Sequence, residues 1–293
     1  MKILVAGATG NLGSRIIREL LTRGTDIRVL IRPNTALKKI AALKHHDIGI
    51  IQTDMTNIHE MTLACKGVDC VISALQGLHD VIVDVQTILL AAAVNAGVPR
   101  FIPSDFAADF TKQPRGENRN FDLRREFHER LDRAPIAATS ILTGAFAELL
   151  CNHTPLLDLQ NNTVGYWEDP DWRLDFTTMD NAAAYTAAVA LDTAAPRILR
   201  IAGFQVSPKE LAATAGTVKE REFKLVKMGS LAELAAYNQQ ERAAHPEGEN
   251  ELYPHWQQSQ YIQSMFSVQL APLDNHRYPD IAWTDAAAFI SKM

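Results

Sequence analysis

Three glycines spaced three residues apart, Gly7, Gly10 and Gly13, form the clearest candidate for chemistry in this sequence. They follow a short apolar run and precede residues at helical spacing, and in that context glycines allow a sharp turn and close backbone approach to a phosphate. The helix N-terminus then offers N–H groups and partial positive charge to an anion. Gly7-Ala8-Thr9-Gly10-Asn11-Leu12-Gly13 therefore predicts a dinucleotide site contacted by Thr9, Asn11 and Leu12. The alternative is an ordinary strand-to-helix turn.

The end of the second predicted strand indicates which dinucleotide. NAD sites often carry Asp or Glu there, but this chain has Arg32, nineteen residues after Gly13. A guanidinium complements a ribose 2′-phosphate, and Lys38 and Lys39 could add charge. The residues favour NADP(H) over NAD(H), with a solvated surface arginine as the alternative.

Later strand ends supply further candidates, because ligands of open α/β sheets gather at the carboxyl ends of the strands. The predicted cofactor contacts at these ends are Asp54, Ser73, Ala74, Leu75, Ser104 and Phe106. Each could instead be an ordinary loop residue.

The elements that position these residues alternate between apolar strands and helices across the first half of the chain. This alternation predicts an α/β fold, a Rossmann-type doubly wound parallel sheet, over residues 1–150. Residues 151–293 predict a smaller α+β lobe that covers the substrate. In that lobe, 163–167 and 172–177 flank turn residues and predict a hairpin, and the strand at 198–202 could return to the first sheet.

Composition narrows the function classes. The chain has 293 residues and a net charge of −5, which disfavours an extended nucleic-acid surface. It has no apolar run long enough for a membrane helix, and the apolar start is too short for a signal peptide, so a cytoplasmic protein is expected. Cysteines and histidines show no metal-binding spacing, and the adjacent His45 and His46 are expected in a loop.

At this point the sequence resembles a known family. The segments that carry the likeness are 7–13, Val29-Leu30-Ile31-Arg32, Val68-Asp69-Cys70-Val71-Ile72-Ser73 and Arg100-Phe101-Ile102-Pro103-Ser104-Asp105-Phe106. They resemble the NmrA-like family, in particular its isoflavone reductase and phenylcoumaran benzylic ether reductase branch. The likeness is dense over residues 1–150 and weaker beyond. It implies an atypical short-chain dehydrogenase fold that uses NADPH to reduce small aromatic, often phenolic, compounds.

The resemblance also implies a catalytic lysine in a Phe-x-x-Lys motif, but here the segment is Phe121-Asp122-Leu123-Arg124. Arginine effectively cannot lose its proton, so Arg124 is expected to bind a phenolate or carboxylate rather than act as a base. His128, one helical turn later, could transfer the proton, since its ordinary pKa lies near neutrality. A structural salt bridge and a structural histidine are the alternatives for these two residues.

Other chemistries lack their motifs, because no tyrosine has lysine four residues later and Gly-x-Ser-x-Gly is absent. Candidate substrate contacts are Phe146, Trp167 and Trp256, with Tyr261 and Phe266 as further cover. Core packing is the alternative for each of these aromatic side chains.

Two functions remain open. The first is an NADPH-dependent reductase of a small aromatic or conjugated substrate. The second is a non-catalytic NAD(P) sensor that binds a protein partner, as some NmrA-like regulators do. A monomer or a homodimer fits either function.

Overall fold

The computed structural model describes residues 1–44, 48–152 and 154–293; His45 and His46 lie outside this part of the chain. Its strands are β1 (Lys2–Ala6), β2 (Asp26–Ile31), β3 (Ile48–Gln52), β4 (Cys70–Ser73), β5 (Arg100–Ile102), β6 (Ala137–Ala138), β7 (Ser140–Leu142), β8 (Ala145–Phe146), β9 (Thr163–Trp167), β10 (Leu174–Thr177), β11 (Ile198–Arg200), β12 (Phe204–Val206) and β13 (Lys224–Gly229).

The α-helices are α1 (Asn11–Thr22), α2 (Leu37–Lys44), α3 (Ile58–Cys65), α4 (Gln86–Asn95), α5 (Arg119–Leu131), α6 (Met179–Leu191), α7 (Pro208–Lys219), α8 (Leu231–Ala244), α9 (His255–Ser267) and α10 (Ala286–Ile290). A π-helix at Asp80–Val85 leads directly into α4. None of the helices in the described part is long and apolar enough to cross a membrane.

Within the described residues, six strands form a sheet in the order β3-β2-β1-β4-β5-β6, and every neighbouring pair is parallel. The order reverses between β1 and β4, which is the dinucleotide-binding position of a doubly wound fold. The predicted α/β class and Rossmann-type sheet are confirmed.

The chain divides into two compact units. Unit 1 contains Met1–Asp105, Leu123–Ile141 and Ala182–Leu199, and unit 2 contains Phe106–Asp122, Leu142–Asn181 and Arg200–Met293. Neither unit is one continuous stretch, and the predicted domain boundary at residue 150 stays a prediction.

Unit 1 holds the whole six-stranded sheet. The central strands β1, β4 and β5 are almost completely buried because helices cover the sheet, as parallel strands require, and the edge strands β3 and β6 are partly exposed. On α1 the buried residues Ile16, Ile17 and Leu20 recur at helical spacing and form the face that packs inward. One apolar cluster joins β1 and β4 to α3 and α4 through residues such as Leu4 and Leu89. This packing holds the loops at the carboxyl ends of the strands.

Unit 2 contains small sheets and a separate apolar core. β10 lies between β8 and β12, and the core includes Phe176, which stacks on Phe204 with ring centroids 5.3 Å apart. Capping boxes start α7 at Ser207 and α8 at Ser230.

Two expectations about strand pairing are corrected. The predicted hairpin is wrong, because β9 pairs in parallel with β13 while β10 pairs with β8 and β12. The turn residues at 168–171 bend the chain locally, but the strands on either side find distant partners. The strand predicted at 198–202 is β11, and it pairs with β7 rather than with the six-stranded sheet.

Candidate functional site

The glycine turn has a backbone shape that side chains would disrupt. Gly7 has a φ of +82°, and a Cβ there would lie 2.3 Å from the carbonyl oxygen of Ala74. A Cβ on Gly13 would lie 2.2 Å from the carbonyl oxygen of Gly7. The Gly10 amide donates to that same oxygen at 3.0 Å, which closes the turn. The glycines are therefore required by the close approach of backbone to backbone.

The start of α1 is suited to an anion. Gly10 is the N-cap and provides no side-chain cap, and the first turn of α1 has no acidic residue. The Asn11 side chain accepts from Nε of Arg15, 3.0 Å away, and so does not cap its own helix start. Gly10 and Asn11 are exposed, and Thr9 and Leu12 are partly exposed. The residues present therefore fit a dinucleotide phosphate, as the sequence predicted.

The candidates beside this turn have different surroundings. Arg32 follows β2 and is exposed, as are Lys38 and Lys39. The Asp54 carboxylate accepts from the Thr56 amide at 2.9 Å and from the Thr56 hydroxyl at 2.8 Å. These two bonds, the backbone one first, lower the pKa of Asp54 and keep it ionised. A cofactor contact for Asp54 stays a prediction.

The loops after β4 and β5 are hydrogen-bonded to each other within unit 1. The Ser104 hydroxyl donates to the carbonyl of Leu75 at 2.6 Å, and the Ser104 amide donates to the side chain of Gln86 at 2.9 Å. The Ala74 amide donates to Ala6 at the end of β1. The Ser73 hydroxyl is buried and has no hydrogen-bond partner among the residues described. These bonds hold the predicted contacts Ala74, Leu75 and Ser104 near the switch point of the sheet, and Ser73 ends the strand beside them.

His128 lies in a buried charged cluster of unit 1. Its Nε2 is 2.6 Å from Oδ2 of Asp105, a carboxylate with no exposed surface, while the His128 side chain is 12% exposed. The Ser140 hydroxyl donates to the same Oδ2 at 2.6 Å. Burial by itself would raise the pKa of Asp105, but the adjacent His128, the Ser140 hydroxyl and the positive charge of Arg124 outweigh burial and hold it below its usual range.

Arg197 completes this cluster from the other side. Its Nη1 donates to the Ser140 hydroxyl at 2.6 Å, and its Nη2 lies 3.4 Å from Nδ1 of His128. The same Nη2 donates to Asp132 at 2.8 Å. Serine, histidine and aspartate meet here, but Ser140 and Asp105 both face Nε2. A serine hydrolase needs them on opposite ring nitrogens, so this is not a nucleophilic triad.

Arg124 and His128 were predicted from the sequence, but Asp105, Ser140 and Arg197, which surround His128, were not. Asp105 belongs to the segment Arg100–Phe106, and it follows β5 at the edge where ligands gather. This position could have indicated a functional role for Asp105. Ser140 and Arg197 carried no signal, since their separations from His128 follow no helical or strand period. Arg124 is half-buried on α5 and acts on Asp105 through its charge.

A second histidine of unit 1 connects the π-helix to α5. Nδ1 of His79 is 3.2 Å from Asp84, and Nε2 is 3.1 Å from Glu126. Burial would lower the pKa of His79, but the two carboxylates outweigh it and raise that pKa. His79 follows the loop that contains Leu75, so it ties the end of this loop to the helix that carries Arg124 and His128.

The predicted substrate contacts all belong to unit 2. Phe146 is half-buried in β8, and Trp167 is 7% exposed and packs edge-on against Phe266 with centroids 5.6 Å apart. Trp256 is 1% exposed, with Arg119 4.7 Å and Arg242 5.1 Å from its ring centre. Their roles toward a substrate stay predictions. Phe106, the remaining predicted cofactor contact, is also buried in unit 2.

Arg119 organises the segment next to Trp256. Its guanidinium donates to the backbone carbonyls of Gly248, Glu249, Glu251 and Leu252. Burial is the main reason that the pKa of Arg119 is lowered, but arginine keeps its charge. In the described ranges, no group of His, Cys, Asp and Glu side chains is arranged to hold a metal ion.

Comparison with known proteins identifies related chains. Pinoresinol reductase 2 of Arabidopsis thaliana is 30% identical over 213 residues, which are 68% of this chain and 66% of that protein. The bifunctional pinoresinol-lariciresinol reductase of Linum usitatissimum is 29% identical over 200 residues, 63% of each chain. The matched region thus spans slightly less than two thirds of these relatives.

Solved structures show the same fold over the full length. A complex of AtPrR2 with NADP+ and (+)-pinoresinol has a TM-score of 0.80 at 23% identity and covers 99% of this chain and 98% of its own. The leucoanthocyanidin reductase–NADPH complex from Vitis vinifera has a TM-score of 0.83 at 17% identity and covers 100% and 99%. The profile of the NmrA-like family matches residues 1–240. The predicted resemblance is confirmed, and the chain belongs to the NmrA-like family.

Proposed function

We propose that this protein is an NADPH-dependent reductase of a small aromatic or conjugated substrate. The observation that carries the proposal is the glycine turn at the switch point of the parallel sheet, where Gly7 and Gly13 leave no room for side chains and α1 starts without a side-chain cap. Such a turn accommodates the pyrophosphate of a dinucleotide. The relatives compared above are reductases of aromatic compounds, which supports the same reaction class here.

NADP(H) is the dinucleotide of this proposal. Arg32 is exposed at the end of β2, the position from which a side chain reaches the ribose 2′-substituent in this fold. Its guanidinium can pair with a 2′-phosphate through two parallel hydrogen bonds. The two solved relatives described above hold NADP+ and NADPH, in agreement with this choice.

Arg124 is proposed to bind the oxygen of the substrate that gains negative charge. NADPH, when bound, supplies the hydride, and the chain must then stabilise and orient the acceptor. A guanidinium keeps its positive charge throughout the working pH range, so Arg124 can hold a phenolate, a carboxylate or a developing oxyanion. It cannot remove a proton. The proton that completes the reduction must come from His128, from water or from the substrate.

The regulator remains the weaker candidate. Loss of the family's lysine favoured it in the sequence, but the relatives compared above are reductases. Aromatic reduction is therefore the function that the site supports best.

The test measures cofactor binding and turnover separately. NADPH binding is followed by fluorescence titration, and NADPH oxidation is followed with pinoresinol and with a panel of smaller phenolic ethers, enones and quinones. We expect tight NADPH binding and turnover of at least one aromatic acceptor, with Arg124→Gln lowering turnover about 100-fold at unchanged NADPH affinity. Exposed Arg221→Gln is the matched control. Tight NADPH binding with no turnover across the panel would argue for the regulator.

A further inference from the structure

His128 is held by protein groups at both ring nitrogens. Nε2 faces Asp105 and Nδ1 faces Arg197, at 2.6 Å and 3.4 Å. An imidazole nitrogen can donate only when it carries hydrogen and can accept only when it does not. The identity of the neighbour on each side therefore determines where the proton of His128 lies.

The neighbour of Nδ1 can only donate. Arginine has no acceptor and remains charged, and Arg197 is further oriented by Asp132, to which its Nε and Nη2 donate at 3.1 Å and 2.8 Å. A proton on Nδ1 would set two donors against each other, and a doubly protonated ring would also set two positive charges against each other. Toward Arg197, Nδ1 can therefore only accept.

The neighbour of Nε2 can only accept. Asp105 is fully buried, and the positive charge of Arg124 favours its ionised form, so its Oδ2 is an acceptor that already receives the Ser140 hydroxyl at 2.6 Å. Oδ1 of Asp105 has no hydrogen-bond partner within the described ranges. Without a hydrogen bond from the Nε2–H of His128, the buried Asp105 carboxylate would be stabilised by the Ser140 hydrogen bond and by the more distant positive charge of Arg124.

We propose that Asp105 and Arg197 are positioning residues that fix His128 as a neutral imidazole with its single proton on Nε2. The charged groups of this cluster include Asp105 and Arg197 in contact with His128, Arg124 acting on Asp105, and Asp132 acting through Arg197. His128 holds the carboxylate beside Arg124 and does not exchange a proton with the substrate. This inference rests on the proposed reductase function only for its kinetic consequence, namely that the proton of the reduction comes from water or the substrate.

Nitrogen NMR of the full chain tests the tautomer without any turnover. Histidine-labelled protein is compared with His128→Gln to assign the signals, and His59→Gln, at an exposed histidine, is the control. At about pH 7 we expect a protonated Nε2 and an unprotonated Nδ1 for His128. A doubly protonated ring, or a proton on Nδ1, would overturn the proposal.

Arg197→Met provides the second readout. It removes the donor and the positive charge opposite Nδ1, so a second proton can bind there while Asp105 remains as counter-ion. We expect nitrogen NMR at about pH 7 to find a proton on Nδ1 of His128 in a larger fraction of Arg197→Met molecules than of wild-type molecules. An unchanged fraction would contradict the role of Arg197, because its side chain is 35% exposed and its loss leaves room for solvent.

Kinetics separate positioning from proton transfer. The amide of glutamine can donate toward Asp105 and accept from Arg197, but it does not titrate near neutrality. We expect His128→Gln to keep every limb of the wild-type pH profile of turnover, because a residue that only positions its neighbours contributes no titrating group to the reaction. A loss of about 100-fold or more, with a missing limb in the pH profile at unchanged stability and NADPH affinity, would assign proton transfer to His128. If no substrate turns over, the NMR arms still decide the tautomer.

Discussion

Replacement of Gly13 by alanine is the sharpest test of the glycine turn. The added Cβ would lie 2.2 Å from the carbonyl oxygen of Gly7 and 2.8 Å from its carbonyl carbon. Cβ atoms essentially never approach heavy atoms closer than 3.0 Å, so α1 and the turn must separate by about 0.8 Å. Both partners of the clash are backbone, and no rotamer change can relieve it.

Two effects should follow from that separation. Forced overpacking costs about 1–3 kcal/mol of the free energy of unfolding, and a backbone clash belongs at the upper end of that range. The first amides of α1 would also move away from the position of a bound phosphate. A hydrogen bond to a charged group contributes about 1.5–3 kcal/mol, so loss of one predicts about 10- to 100-fold weaker NADPH binding.

Gly49→Ala is the matched control for this variant. Gly49 lies in β3, has no positive φ, and its nearest neighbour would be 3.5 Å from a new Cβ, an ordinary contact. Urea unfolding and NADPH titration of the two variants and the wild type give the comparison. Wild-type affinity and stability in Gly13→Ala would refute the close approach on which the cofactor site depends. Equal losses in both variants would show that the effect is a general cost of adding a methyl group.

Three further predictions concern single charged residues. Arg32→Gln should weaken NADPH binding about tenfold or more and leave NADH binding unchanged, whereas Arg221→Gln should change neither in parallel titrations. His79→Gln should lower the free energy of unfolding by about a few tenths of a kcal/mol, as for exposed ion pairs. This stabilisation is present below about pH 6.5 and is lost as the pH rises through the raised pKa of His79. Urea unfolding at low and high pH measures it, and an equal pH dependence in variant and wild type would exclude it. Arg119→Met should lower the free energy of unfolding by about 2–4 kcal/mol and expose residues 245–252 to limited proteolysis, because the carbonyls of Gly248, Glu249, Glu251 and Leu252 lose their charged donor. Protease resistance equal to that of the wild type would contradict this.

The sheet of unit 1 could be predicted because its signals are local. Continuous apolar runs, helical spacing and the glycines between them all lie within short windows, and each agrees with the parallel sheet observed. The failed hairpin shows the limit of such signals. Asp169 and Pro170 are true turn residues, yet β9 pairs with β13 far along the chain, and no feature near residue 167 indicates that partner.

The glycine turn and the charged cluster around His128 also differ in whether a short stretch of sequence could predict them. The requirement for Gly13 arises from a carbonyl six residues earlier, so spacing alone indicates it. The role of His128 depends on Asp105, Ser140 and Arg197, which reach it from three separate segments of the chain. The tautomer and the proton-transfer role of a histidine depend on such neighbours, and a sequence motif does not show them. Because Arg197 can only donate and the ionised Asp105 can only accept, the neighbours of His128 favour one protonation state. The same geometry that buries this histidine beside Arg124 therefore argues against its use as the proton donor.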